Sequence, residues 1–122
     1  LRQLGYPAVD LGLARDDPEE LERRILAGID GVDFLLTSGG VSVGDRDYTR
    51  DVLGRLGEVE AYAVLVKPGK PQVFGHVRGV PVFGLPGNPV SSLVVFDVFV
   101  LPALRRMAGR RDLFAPVFEA RL

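Results

Sequence analysis

Three observations predict an α/β fold with a largely parallel sheet and helices on both faces. Strand-like apolar runs alternate with amphipathic helical stretches along the chain. Val32–Leu36 is apolar at nearly every position, as expected of a strand covered on both faces. Three such runs are followed by loops rich in glycine or proline, and in open α/β sheets the loops at strand carboxyl ends line the ligand crevice.

The elements follow in order. Leu1–Leu4 reads as a helix end stopped by Gly5, and Ala8–Ala14 as a short strand. Asp17-Pro18-Glu19-Glu20 supplies an N-cap, a first-turn proline and an acidic first turn. Leu21, Ile25, Leu26 and Ile29 then form the apolar stripe of that helix. After the strand at Val32–Leu36 and its loop, Tyr48, Val52, Leu53 and Leu56 mark a second amphipathic helix ending at Gly57. Val59–Val66 is the third strand, and Gln72–Gly75 with Val80–Phe83 reads as a hairpin around Val77-Arg78-Gly79. Asn88 caps a long helix with Pro89 in its first turn. That helix is apolar on most sides, which predicts cover by protein, and Pro102 predicts a kink or an early end near Leu101.

Composition narrows the function. A chain of 122 residues, 47% apolar and 25% charged, is one soluble globular domain with room for a core. Its net charge of −1 provides no basic field toward nucleic acid or an acidic membrane, so any anion site is local. The absence of cysteine excludes disulfides and thiolate chemistry, and a single histidine excludes a multi-histidine metal cluster within this chain. No signal peptide or membrane-spanning run is evident, and a cytoplasmic location is expected. The chain opens on Leu1 rather than methionine and is expected to be part of something longer.

Four constellations could carry chemistry. Thr37-Ser38-Gly39-Gly40-Val41-Ser42-Val43-Gly44 lies between a buried strand and a helix, where free N–H groups and the hydroxyls of Thr37, Ser38 and Ser42 could hold an anion. A turn whose glycines serve only tight packing is the competing reading. Asp45 and Asp47 follow directly; one serves as a helix N-cap, which leaves one as a candidate magnesium ligand beside phosphate. Asp16 is likewise unexplained next to the capping Asp17. Lys67-Pro68-Gly69-Lys70-Pro71 presents two cations on a turn stiffened by proline, against the plainer reading of two solvated lysines. Pro86-Gly87-Asn88-Pro89 is a well-made helix start that can also face the crevice. His76, beside Arg78, reads as an exposed turn residue and not a catalytic base.

Ser-Gly-Gly-Val-Ser-Val-Gly-Asp-x-Asp-Tyr (Ser38 to Tyr48), Lys-Pro-Gly-Lys-Pro (Lys67 to Pro71) and Leu-Pro-Gly-Asn-Pro (Leu85 to Pro89) together resemble the molybdopterin molybdenumtransferase family of MoeA and the gephyrin E domain. The resemblance covers nearly the whole chain in the family's order and spacing. It implies a three-layer α/β/α molybdopterin-binding (MogA-like) domain over residues 1–110, lacking its first strand. Residues 111–122 would then begin a C-terminal β domain or a linker. The implied activity is transfer of molybdate onto adenylylated molybdopterin, with magnesium and release of AMP, in a homodimeric full-length protein. Catalytic roles are implied for Asp16, Asp47 and Lys67, and magnesium binding for Asp47 or Asp45. Substrate binding is implied for Thr37, Ser38, Gly39, Gly40, Ser42, Gly44, Lys70, Pro86, Gly87, Asn88 and Pro89. The chain departs from the family at Ala63, where a basic residue is common, and has no Thr-Gly-Asp-Glu-Leu strand. For that reason residues 1–122 alone are expected to have little activity. A nucleotide pyrophosphatase of the CinA type and a non-enzymatic dimerising scaffold of the gephyrin kind are the alternatives.

Overall fold

The computed structural model describes residues 1–15, 17–41 and 48–119. A four-stranded sheet forms the middle layer, in the order β1 (Leu35–Ser38), β4 (Val80–Leu85), β3 (Pro71–Val77), β2 (Gly57–Ala63). Helices α1 (Pro18–Ile29) and α2 (Tyr48–Leu56) belong to one side of it. On the other side lies a rod built from α3 (Pro89–Val95), a π-helical segment (Phe96–Val100) and α4 (Leu101–Met107).

Strand alternation separates the two cores. Val73, Val77 and Val82 point toward α1 and α2 and pack with Ile25, Ile29, Leu35, Val52 and Leu53. Their neighbours Phe74 and Phe83 point the opposite way, with ring centroids 4.7 Å apart, into a cluster with Leu85, Val95, Val100 and Leu104. The predicted α/β class and its three layers are therefore present. The sheet itself is mixed rather than mostly parallel: β1 pairs parallel with β4, while β2–β3 and β3–β4 are antiparallel.

Several elements form where the sequence places them. Gly5, at φ 82°, closes a short 3-10 turn over Arg2–Leu4. Asp17 caps α1 by accepting a hydrogen bond from the Glu19 amide at 3.0 Å, with Pro18 in the first turn. Asp17→Ala is expected to cost about 1 kcal/mol of stability, read as a lower urea midpoint at unchanged m-value. The hairpin turns on Arg78 (φ 50°) and Gly79 (φ 80°); two consecutive positive φ values match the right-handed twist of the flanking strands.

Other boundaries move for local reasons. Ala8–Ala14 is not a strand. Asp10 Oδ1 accepts from the Gly12 amide at 2.8 Å, Gly12 adopts φ 76°, and the Leu11 carbonyl accepts from Arg24 Nη1 at 2.8 Å. The Asx turn bends the backbone, and the arginine takes an acceptor that a strand would offer to its neighbour. The second predicted strand begins at Leu35 and runs to Ser38, the span that pairs with Val82–Leu85. The third runs from Gly57 to Ala63 because α2 passes straight into it. It ends there because Ala63 pairs with Pro71, and the Val64 amide bonds to the Lys70 carbonyl at 2.9 Å. Leu65, read as strand, is fully exposed in the loop beyond.

Pro102 neither ends the long helix nor stands inside a regular one. The π-helical segment precedes it, so the proline falls in the first turn of α4, where its missing N–H is tolerated. The predicted cover of this rod is only partial: Val95 and Val100 are buried, but Val90 and Leu93 are 61% and 65% exposed. The sheet covers one side of the rod, and Val98 is 48% exposed as well. His76 is exposed but lies within β3, with its ring edge-on to Phe74 at 5.8 Å. Residues 110–119 carry no regular structure. No helix among the described residues is long and apolar enough to cross a membrane.

Candidate functional site

Strand directions bring the three loops to one end of the sheet. β1 and β4 are parallel, and β2 is antiparallel to β3, which is antiparallel to β4, so β1, β2 and β4 all point the same way. The loops that follow them therefore leave from the same end, as the crevice rule for α/β sheets requires.

The first and third loops touch through their backbones. The Gly39 amide donates to the Leu85 carbonyl at 2.9 Å, and Ser38 Oγ lies 3.4 Å from the Pro86 carbonyl. A Cβ on Gly87 would stand 3.5 Å from Gly39 Cα, an ordinary van der Waals contact, while Gly39 itself is called for by its φ of 90°. Gly40 (φ 67°) packs against Thr49, where a Cβ would come within 2.9 Å of Thr49 Cβ. Tight packing thus explains Gly40, and a positive φ explains Gly39, without reference to a ligand.

The third loop is held by its own helix. Asn88 Oδ1 accepts from the amides of Val90 (3.0 Å) and Ser91 (3.2 Å), and the Ser92 hydroxyl lies against the carbonyls of Pro86 and Asn88. Pro86 is buried, while Gly87, Asn88 and Pro89 are exposed. The second loop is seated on the same helix. Gly69 is buried at φ 115°, and a Cβ there would stand 2.7 Å from Val95 Cγ2 and 3.5 Å from the Ser91 carbonyl. Lys67, joined to Pro68 by a cis peptide bond, and Lys70 are both exposed. The stretch that carries the two cations therefore rests on the helix that carries Asn88.

A cavity of about 340 Å³ opens between residues 11–15 and the outer edge of β1. Its polar lining comes from Arg15, Arg24, Thr37, Ser38, Tyr48, Thr49 and the Gly39-Gly40 backbone. Lys67, Lys70 and Pro86–Pro89 do not line it. The structure thus gathers the three loops at one end but places only the first of them in this cavity. Thr37, a predicted ligand contact, has its hydroxyl oxygen buried with no hydrogen-bond partner among the described residues. Asp16, Ser42, Gly44, Asp45 and Asp47 lie outside the described residues.

Arg24 and Arg15 were not legible as site residues. Arg24 spends Nε and Nη2 on Glu20 Oε1, at 2.9 and 2.7 Å, and Nη1 on the Leu11 carbonyl. Its i,i+4 spacing to Glu20 was visible in the sequence, but its hold on the cavity wall depends on the Asx turn at Asp10. The described carboxylate held farthest from its usual range is Asp112, kept at about 2 by the hydrogen bond from Arg110; it lies beyond α4, outside the three loops.

Residues 1–106 match the family model described as "Probable molybdopterin binding domain". The chain is 41% identical over 112 residues to a "Molybdopterin molybdenumtransferase" of Haemophilus influenzae, covering 92% of this chain and 28% of that protein. It is 37% identical over 122 residues to a protein of the same name from a Nostoc species, covering 97% of this chain and 28% of the relative. The crystal structure of a molybdopterin biosynthesis moea protein from Pyrococcus horikosii superposes with a TM-score of 0.78 at 40% identity, over 89% of this chain and 27% of that one. The chain thus spans just over a quarter of the length of these relatives.

Proposed function

Because this chain belongs to the molybdopterin-binding domain family, we propose that it carries the catalytic loops of an enzyme that transfers molybdate onto adenylylated molybdopterin and releases AMP. A role in molybdenum cofactor biosynthesis follows from the family and from the relatives' names. The particular reaction is the proposal. The observation that carries it is the convergence of the Ser-Gly-Gly, Lys-Pro-Gly-Lys and Pro-Gly-Asn-Pro loops at one end of the sheet. Substrate and product of this reaction are polyanions, and that end offers the hydroxyls of Thr37 and Ser38 and two exposed lysines.

In this reading Lys67 balances the charge of molybdate or of the leaving phosphate, and Lys70 adds a second cation. Ser38, Gly39 and Gly40 face the cavity and contact the phosphate of the pterin or the nucleotide. The helix start at Pro86–Pro89 closes the adjoining wall. Asp16 and Asp47 complete the catalytic set in the proposal. Among the described residues no group of three or more His, Cys, Asp or Glu could hold a metal ion. Asp47 or Asp45 would hold magnesium, which would neutralise charge on the leaving phosphate.

The test is turnover by the full-length protein given adenylylated molybdopterin, molybdate and magnesium. AMP and molybdenum cofactor are expected to appear in equal amounts, with Asp47→Ala strongly impaired. AMP release that does not depend on molybdate would favour a pyrophosphatase and overturn the transferase reading.

A further inference from the structure

Gln72 is the one buried carboxamide among the described residues of the sheet, 3% exposed in β3. Its Nε2 donates to the Gly69 carbonyl at 3.2 Å. That carbonyl belongs to the peptide joining Gly69 to Lys70, between the two exposed lysines. We propose that Gln72 is a positioning residue that holds the Lys67–Lys70 turn in its anion-binding shape, an inference that rests on the function proposed above.

A buried amide is costly to desolvate, and a methionine or leucine would fill the same volume without that cost. The return on the polar group is therefore sought in what it holds. Two other contacts hold the turn, and neither orients this peptide. The Val64 amide bonds to the Lys70 carbonyl at 2.9 Å, which closes the end of the β2–β3 ladder. The seat of Gly69 on Val95 and Ser91 fixes how deeply the turn sinks onto α3. Rotation of the Gly69–Lys70 peptide alters ψ of Gly69 and φ of Lys70, the two dihedrals that set how Lys70 leaves the seated glycine. The Gln72 carboxamide opposes that rotation.

Lys70 is a binding cation rather than the charge-stabilising group of the transition state, so displacing it changes KM more than kcat. In the full-length protein, Gln72→Met is expected to raise KM for molybdate about three- to tenfold, the value of one net hydrogen bond, with kcat changed less. Thermal stability should fall modestly, because the carbonyl of the buried Gly69 loses its partner. Gln72→Leu serves as a second variant should the methionine protein fold poorly. An unchanged KM in a folded variant, with Lys67→Ala and Lys70→Ala impaired, overturns the positioning role and leaves the proposed function standing. If Lys67→Ala and Lys70→Ala also leave both constants unchanged, the anion-binding reading of the turn fails and this inference fails with it. A fall in Tm with KM for molybdate unchanged would mark Gln72 as merely structural and likewise overturn the proposal.

Discussion

Lys67→Ala in the full-length protein should lower kcat/KM for molybdate transfer about a hundredfold, the order of effect seen when one group that stabilises transition-state charge is removed. Lys67 is exposed at the end of the sheet where the three loops converge, while its neighbour Gly69 is buried against α3. The cation is thus free to meet a ligand although the backbone beneath it is held. Its place where the loops converge, on a turn whose Gly69 is seated, separates it from an ordinary solvated lysine. Because the side chain is exposed, the substitution should change stability by no more than about 0.5 kcal/mol. Lys67→Arg keeps the charge but replaces a compact ammonium with a planar fork, and an intermediate rate is expected. Rates within threefold of the wild type for Lys67→Ala would remove Lys67 from the chemistry.

How far the sequence carried this reading depends on the kind of signal. Caps and turns were legible because their chemistry is local: Asp17 before Pro18, Asn88 before Pro89, and Arg78-Gly79 between two apolar runs each determined a boundary. Strand limits were not, because pairing partners set them. Val64 and Leu65 read as strand by composition, yet the ladder stops where Ala63 meets Pro71. Ala8–Ala14 read as strand by its apolar residues, yet the Asx turn at Asp10 and the guanidinium of Arg24 hold it away from one. Sheet polarity was misjudged for a related reason: the two-residue hairpin between β3 and β4 was visible, but it makes two of the three pairings antiparallel once β2 joins its outer strand.

The site divides in the same way. Motif spacing brought out the loops, and the strand directions place them together. What motif spacing could not reveal was that the loops are joined to one another, Gly39 to Leu85 and Gly69 to α3. Nor could it reveal that a cavity would form on the far side of β1, walled by Arg15 and Arg24. Both depend on contacts between residues far apart in the chain. Gln72 carries no such signal either, because nothing in a strand-like run distinguishes a buried carboxamide from an exposed one.

Gly69→Ala is the substitution expected to cost most for its size. At φ 115° the alanine is strained, which costs about 1–3 kcal/mol wherever surrounding structure enforces such a backbone. Its Cβ would also stand 2.7 Å from Val95 Cγ2, and Val95 is fully buried with no free direction to move. Forcing a methyl into such packing adds about 1–3 kcal/mol. The two costs separate in a double-mutant cycle. Val95→Ala alone loses core contacts, but it vacates the space that the new methyl needs, so the double variant should be more stable than the sum of the single losses predicts. A coupling of about 1 kcal/mol or more by urea unfolding is the expected result, and strict additivity would show that Gly69 does not bear on α3. The same cycle read in KM for molybdate addresses function. If the turn presents its lysines from a seat on α3, relieving the clash at Val95 should recover part of the anion affinity lost in Gly69→Ala. The remaining deficit would then belong to the strained backbone.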